Sequence, residues 1–557
     1  MDAIQLKLLT AVESSSMKRN RTGGHPASRI SQWSTAPLNP NAQLHAIFDS
    51  GFPYSKKLRA HRSCVNAITF SHGDGRWLAS AGDDLRVLLW DFHQENVEGP
   101  STSLTGHRSN IFCLDFSAQN QYLYSGSIDE KILKYDVSTA TNSTSRGPVQ
   151  TFTTHDDNVR GISCHPENDD LFLSVGEDGL IALHDSRIFG GCAGSFMNEC
   201  EVTDVRYHPR ADKLFFTTDQ RGNVCLRDIR MAFGDRSTTS GLSVNGDSKG
   251  TVMKYVTAIT RRSVPHLVQP EAASLAVDRS GTKICVNFLH HLPTIYSISD
   301  PIPLAVCSGK NLPDGSLVPE GERTYKNACT IKHGSFGSPS GDVEDMYYTT
   351  GSDDFRAYVW KLPDTVTLQE ARRTLTKDEF NNEPPRTIAY ARSMADDTRY
   401  IPVDLCTPLS RLQGRFLHIH HGMAAQRHCS VTTGHDSIVN NSIIHPHLPQ
   451  IATCGVERHI AIHSPTPTAP NMTFTRTPET VRALPTDDPQ VTRRFLLALL
   501  SGHNNQFDSD GNVDVAERNT IDFFDGIIRD HNNISVFTAG TKIHDTGTDD
   551  EEISSDE

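Results

Sequence analysis

The chain of 557 residues carries a formal net charge of −14, and 36% of its residues are hydrophobic. This length fits two to four average domains, or one large repeat domain with extensions. The acidic balance argues against a general nucleic-acid binder, which needs a basic surface to displace counterions from phosphates.

The first 54 residues are predicted to be a mostly flexible segment. Residues 1–50 are polar and rich in Ser, Asn and Pro, with one short amphipathic helix predicted near 3–12.

The sequence shows neither a cationic-then-apolar leader nor an apolar run of the roughly 18 residues that a membrane span needs. The 12 cysteines include no CxxC pair. We therefore expect reduced thiols, no membrane contact, and a location in the nucleus, the cytoplasm or both.

Three consecutive stretches share one pattern. Residues 61–91, 107–136 and 155–185 each open on a histidine, continue with alternating polar and apolar residues, and end on a ring-bearing residue followed by Asp. This pattern is typical of WD repeats, the four-stranded blades of a β-propeller. The opening histidine and an Asp six positions before the ring-bearing residue are predicted to hydrogen-bond within each blade.

Four weaker units follow. Residues 202–228 lack the opening histidine, and 271–298 are recognisable mainly by alternation. Residues 346–363 restore the pattern, whereas 434–465 replace the Trp by His463 and the Asp by Glu457. The residues expected to form the structural network of the blades are His61, Asp84, Trp90, His107, Asp129, His155, Asp178, Asp354, Trp360 and His435.

Seven units predict an all-β fold, a seven-bladed WD-repeat propeller with helical and disordered extensions. The propeller is expected over 55–465, with a flexible loop at 234–252 between blades four and five. An insertion at 364–420, which carries a helix over 365–375, is expected to separate blades six and seven. Residues 466–557 are predicted to form a linker, helices over 491–501 and 519–530, and an acidic disordered tail from 546.

Residues 506–517 resemble a calcium-binding loop between two helices. The candidate ligands are Asp508, Asp510, Asp514 and Glu517. Position 1 of the loop is Gln506 instead of Asp, and the loop is solitary. A solvated acidic loop is therefore favoured over a calcium site, and the sequence predicts neither a metal nor a cofactor.

Two blade ends carry an arginine that the blade itself does not require. Residues 184–187 read HDSR and residues 227–230 read RDIR, so Arg187 follows Asp185, and Arg230 follows Asp228, at the same point of consecutive units. One interpretation is two unrelated surface salt bridges. The favoured one is a pair of guanidinium groups side by side on one propeller face, positioned to dock on a partner.

At these residues the chain resembles the WD-repeat substrate receptors of cullin-4 RING ubiquitin ligases, the DDB-one- and cullin-4-associated factors, and in particular the branch of member five. The family engages its adaptor, the large subunit of the damage-specific DNA-binding protein, through paired WDxR motifs. Here both Trp positions are replaced while Asp and Arg are kept. Stretches such as 61–70, 82–91, 351–363 and 520–528 add to the resemblance.

The resemblance implies a non-catalytic receptor subunit. Asp185, Arg187, Asp228 and Arg230 would bind the adaptor, and another surface would present an unknown protein substrate for ubiquitylation, without direct contact to nucleic acid. The alternative is a WD-repeat scaffold or chromatin-associated reader with no ligase link. Short catalytic signatures such as GxSxG or HExxH do not occur in the sequence. The histidines at 418, 420 and 421 are expected to be structural or solvated.

Overall fold

The structure is a computed structural model. The residues that it describes are 40–138, 146–234, 249–264, 266–339, 344–412, 435–469, 471–476, 481–484, 513–531, 534–539 and 541–543. The predictions for residues 3–12, 491–501 and the acidic tail lie outside them. No helix within these ranges is long and apolar enough to span a membrane.

Antiparallel sheets form the blades, and in blades one to six the inner strand comes first in the chain. Blade one consists of Val65–Phe70, Trp77–Gly82, Arg86–Asp91 and Thr102–Thr105. Blade two consists of Ile111–Phe116, Tyr122–Ser127, Ile132–Asp136 and Gln150–Phe152. Blade three consists of Val159–Cys164, Leu171–Gly176, Leu180–Asp185 and Cys192–Met197. Blade four consists of Val202–Tyr207, Leu214–Asp219, Val224–Asp228 and Thr251–Lys254.

The remaining blades draw strands from distant segments. Blade five consists of Ala272–Val277, Lys283–Phe288, Thr294–Ser297 and Pro303–Val306, with the parallel strand Val403–Asp404 at its edge. Blade six consists of Gly334–Gly337, Tyr347–Gly351, Ala357–Lys361 and Ser410–Leu412. Blade seven consists of Val439–Ile444, Ile451–Gly455, His459–Ser464 and Tyr54–Arg59, and Thr475–Arg476 pairs with the outer side of the last of these.

The seven inner strands contact one another in order, and the last contacts the first. The ring is closed because Tyr54–Arg59, from the start of the described chain, pairs with His459–Ser464 near its other end. Buried apolar side chains fill the space between neighbouring sheets, while the inner strands line a central cavity of about 230 Å³. The predicted WD-repeat propeller is thus confirmed as the fold.

One six-stranded sheet lies outside the blades. Three segments far apart in the chain form this sheet of six strands, which are Arg373–Thr376, Thr398–Ile401, Ile388–Tyr390, Ile259–Arg261, Leu267–Gln269 and Thr541–Ile543. A two-stranded sheet pairs Thr468–Ala469 with Met472–Thr473. The described helices are Pro40–Asp49, Ile229–Phe233, Thr365–Ala371, Lys377–Phe380, Val513–His531 and Val536–Ala539.

The prediction of a mostly flexible segment over 1–54 is wrong for its last part. Residues Pro40–Asp49 form a helix, in which Leu44 and Phe48 share one buried face at an i, i+4 spacing. The Phe48 ring lies 4.3 Å from the Tyr347 ring of blade six, measured between centroids. The helix is therefore part of the propeller core at this edge.

The insertion at 364–420 lies at a different point of the propeller from the one predicted. The fourth strand of blade six, Ser410–Leu412, follows most of the insertion, which therefore interrupts blade six and does not separate blades six and seven. Its predicted helix over 365–375 ends at Ala371, where the chain continues as the strand Arg373–Thr376. In the loop at 234–252, residues 235–248 lie outside the described part, and Thr251 already belongs to blade four.

Candidate docking site

A shared hydrogen-bond network holds each of the first blades together. In blade one, His61 Nδ1 lies 3.0 Å from Asp84 Oδ2, and Ser80 Oγ links His61 Nε2, at 2.7 Å, to the Trp90 indole N–H, at 3.0 Å. Burial opposes the charge on Asp84, but the hydrogen bonds from His61 and from the backbone outweigh it and lower its pKa to about 2. The network is buried and joins strands of the same blade, so its role is structural.

Blades two and three repeat this arrangement. His107 Nδ1 lies 3.1 Å from Asp129, and His155 Nδ1 lies 2.9 Å from Asp178. In blade three, His184 replaces the tryptophan, and its Nε2 lies 2.8 Å from Ser174 Oγ. The imidazole thus takes the place of the indole N–H.

Blade six uses a different set of partners. Asp354 accepts hydrogen bonds from Tyr358 Oη at 2.7 Å and from Arg356 Nη1 at 3.0 Å. The Trp360 ring packs nearly parallel to the Tyr358 ring at 5.5 Å between centroids. The predicted residues Asp354 and Trp360 are therefore brought together, with a tyrosine and an arginine in place of the usual histidine.

Blade seven contains three residues that could in principle ligate a metal. The ligand atoms of His435, Glu457 and His459 lie within 4.8 Å of one another, and all three residues are buried. His435 Nδ1 lies 2.6 Å from Glu457 Oε2, while its Nε2 lies 2.8 Å from Thr453 Oγ1. These are the same contacts that the opening histidine makes in blades one to three, so the trio fits the blade network without an ion.

The two Asp-x-Arg motifs have the same local geometry. Arg187 donates to Asp185 from its backbone N–H at 3.0 Å, from Nε at 2.8 Å and from Nη2 at 2.7 Å. Arg230 donates to Asp228 from the same three groups at 2.9, 3.1 and 2.6 Å. These hydrogen bonds from the arginines lower the pKa of both carboxyls. Both motifs are therefore charged and orientated at neutral pH.

Each guanidinium group has one nitrogen, Nη1, that makes no hydrogen bond within the described residues. The Arg187 side chain is 59% exposed and that of Arg230 is 71% exposed. Within the described residues, neither Nη1 makes a hydrogen bond, because the two carboxylate oxygens engage only Nε and Nη2. A planar fork fixed by an acid, with one amino group open to solvent, suits the recognition of a carbonyl or a carboxylate.

Packing between blades three and four brings the two motifs to one edge. Asp185 and Asp228 each end the third strand of a blade, and third strands of a propeller run in the same direction. The helix Ile229–Phe233 begins at Asp228, and its Phe233 ring lies 5.4 Å from the Phe196 ring on the outer strand of blade three. A Cβ at Gly194 would lie 3.2 Å from the Phe233 ring, so the two segments approach each other closely here.

Exposed apolar side chains surround the arginines, and the sequence analysis missed them. Ile188, Phe189 and Met231 are all exposed, and each lies one or two positions after one of the two arginines. Large exposed apolar groups next to orientated arginines are typical of protein interfaces. The sequence did contain a signal for this exposed surface. Phe189 stands directly before Gly190 and Gly191, where no strand pattern predicts that a large apolar side chain is buried.

A further acid supports the first motif. Asp170 Oδ2 lies 4.0 Å from Arg187 Nε, and its Oδ1 lies 3.2 Å from Lys134 Nζ. Ser186, between Asp185 and Arg187, also hydrogen-bonds to Asp170. Residues from blades two and three thus fix the loop that carries Arg187.

Only part of the calcium-loop candidate lies within the described residues. Asp508 and Asp510 lie outside the described residues, as do the histidines at 418, 420 and 421. The backbone at Asp514 already belongs to the helix Val513–His531. Glu517 Oε1 accepts a hydrogen bond at 3.3 Å from the Arg458 backbone N–H, next to blade seven.

The chain matches known proteins over the propeller. The family described as WD domain, G-beta repeat, matches residues 53–91, 99–136 and 146–185. DDB1- and CUL4-associated factor 5 of Mus musculus and that of Homo sapiens are each 30% identical over 74% of this chain, which spans 34% of their length. Protein ALTERED SEED GERMINATION 2 of Arabidopsis thaliana is 27% identical over 29% of this chain and 22% of its own length. The chain is a WD-repeat protein of the family that includes DDB1- and CUL4-associated factor 5.

Proposed function

We propose that the chain is the substrate-recognition subunit of a cullin-4 ubiquitin ligase. It docks on the adaptor DDB1 through Asp185–Arg187 and Asp228–Arg230 and presents a target protein for ubiquitylation. The observation that carries the proposal is the identical geometry of the two motifs on adjacent blades. The similarity to proteins named for association with DDB1 and CUL4 supports the choice of partner.

In this role the chain supplies affinity and geometry, and the chemistry belongs to the other subunits. Each arginine offers its free amino group to an acceptor on the adaptor, while Ile188, Phe189 and Met231 provide apolar surface to be buried around it. Binding the target at a second surface raises its effective concentration near the conjugating enzyme. We expect the chain to act in the nucleus, the cytoplasm or both.

The test is capture of purified DDB1 by the intact chain and by the double variant Arg187→Ala, Arg230→Ala. Loss of two desolvated contacts should cost at least about 2 kcal/mol, or about thirtyfold in affinity. A second double variant, Arg187→Lys with Arg230→Lys, keeps the charge but loses the bidentate fork, and it should also bind weakly.

The matched control is Arg221→Ala with Arg373→Ala. Both arginines are exposed and paired with an acid, Glu199 at 3.2 Å and Glu383 respectively, but lie away from the motifs. The control removes the same charge, so it should bind like the intact chain. If all variants bind alike, the docking residues are wrong. If the intact chain fails to bind, the scaffold alternative replaces the ligase function.

A further inference from the structure

The C-terminal helix Val513–His531 lies across the propeller face opposite the two arginines. Its Ile528 packs in one buried cluster with Phe355 and Val456, which lie in the turns between the second and third strands of blades six and seven. The same cluster contains Cys64 and Ile438, which directly precede inner strands. All four positions lie at the end of the blade away from the end of the third strand, where the Asp-x-Arg motifs stand.

The propeller holds an arginine, Arg482, that pairs with the buried Asp525 of the helix. Arg482 donates from Nε to the Asp436 carbonyl at 2.7 Å, and its guanidinium carbon lies 4.8 Å from the Phe355 ring centroid. Its remaining groups, Nη1 and Nη2, donate to the two oxygens of Asp525 at 2.8 and 2.6 Å. Asp525 is completely buried. The pocket is therefore selective for a carboxylate at this position of a helix.

Both ends of the helix are also recognised by groups of the propeller. The Lys326 ammonium donates to the His531 carbonyl at 2.9 Å, where the helix dipole favours a cation. The Arg458 backbone N–H donates to Glu517 near the other end. The residues between these contacts form four turns, about 21 Å long. The face thus contains a groove with an apolar centre and polar groups at both ends.

The propeller closes without this helix. Its ring is completed by the pairing of Tyr54–Arg59 with His459–Ser464, and the helix adds no strand to a blade. The contacts of the helix with the propeller include the apolar cluster, the Arg482–Asp525 pair, the two end contacts and the stacking of the His531 ring on the His290 ring. The following strand Thr541–Ile543 is held separately, by pairing with Leu267–Gln269, so release of the helix does not require that strand to leave its sheet.

We propose that this face is a helix-binding site for the target protein and that residues 513–531 occupy it as an internal competitor. The partner is an amphipathic helix with an acidic residue followed three positions later by a branched apolar residue, as in Asp525 and Ile528. The assignment to the target rests on the proposed ligase function. The exchange of the helix does not.

The experiment measures binding of a fluorescent peptide of residues 513–531 to the full-length chain. The release variant is Asp525→Asn with Ile528→Asp, which disrupts the internal helix on its buried side. The matched control is Asp530→Asn with Asn519→Asp, which makes chemically similar changes at two exposed positions of the same helix. The release variant should bind the peptide at least tenfold more tightly than the wild type and the control do. A peptide that carries Asp525→Asn should bind the release variant at least tenfold more weakly than the unchanged peptide does.

Equal binding to all three chains, or no binding to a folded release variant, overturns the proposal. Hydrogen exchange on the wild type gives a second test that does not depend on a variant. Amides of 520–531 should exchange at least a hundredfold faster than those of the inner strand Val439–Ile444, because the helix opens while the ring stays closed. Exchange of both regions together overturns the proposal. DDB1 capture by the release variant should be unchanged, so failure of the ligase function is seen separately.

Discussion

Replacing His184 by tryptophan is expected to make the stability of the chain less sensitive to acid. His184 stands where blade one has Trp90, and both rings reach a buried serine through a ring nitrogen. Burial, together with the neighbouring His155, lowers the pKa of His184 to about 3. The folded chain therefore keeps this imidazole neutral while the unfolded chain takes up a proton at a pKa near 6.5.

The sign and size of the effect follow from this difference. Because the unfolded state binds the proton, the stability contributed by the neutral ring is complete above about pH 6.5 and is lost as the pH falls towards about 3. At pH 5.5 the loss is about 1.4 kcal/mol, and at pH 7.5 it is close to zero. Tryptophan does not titrate, so the His184→Trp variant should regain about 1.4 kcal/mol relative to the wild type between pH 7.5 and 5.5.

Urea unfolding at the two pH values measures this double difference. Any steric cost of the larger ring is the same at both pH values and cancels. The reciprocal variant Trp90→His should show the opposite sign, with a larger loss at pH 5.5 than at pH 7.5. A His184→Trp variant whose pH dependence equals that of the wild type would refute the buried neutral imidazole as the cause.

Other substitutions test the remaining parts of the fold. Phe48→Ala should cost about 3–5 kcal/mol of unfolding free energy in a denaturant titration, because the ring is completely buried between the N-terminal helix and blade six. Gly82→Ala should cost at least about 1–3 kcal/mol, since its Cβ would lie 1.9 Å from the Cys64 carbonyl oxygen. Gly99→Ala, with open space around it, should stay within about 0.5 kcal/mol. Asp84→Asn should cost about 2 kcal/mol at pH 7, and the difference should vanish as the pH falls from about 4 to about 2, the folded pKa of Asp84.

The repeat was predictable because its signals are local. A histidine before the inner strand and an Asp six positions before the ring-bearing residue of the third strand mark one blade within about 30 residues, so three copies sufficed to predict the fold. The pairs His61–Asp84, His107–Asp129 and His155–Asp178 lie where that spacing indicates.

The parts that the sequence did not predict depend on partners far along the chain. The helix Pro40–Asp49 gains its burial from Tyr347, about 300 positions away, so its own composition favours a flexible segment. Blade six replaces the histidine partner of Asp354 by Tyr358 and Arg356, and Arg356 in turn pairs with Glu322 at 2.7 Å. A search for the usual residue type at the usual position could not find such a substitution.

The alternation of strand direction within a blade separates the two proposed binding surfaces. The ends of third strands place Arg187 and Arg230 on one face, and the turns before third strands place Phe355 and Val456, under the C-terminal helix, on the other. A six-residue strand rises about 20 Å, so the two surfaces are held apart by the thickness of the disk. A partner bound to one face leaves the other free. The blade networks keep that separation constant, which in the proposed function would hold a target at a fixed distance from a catalytic partner.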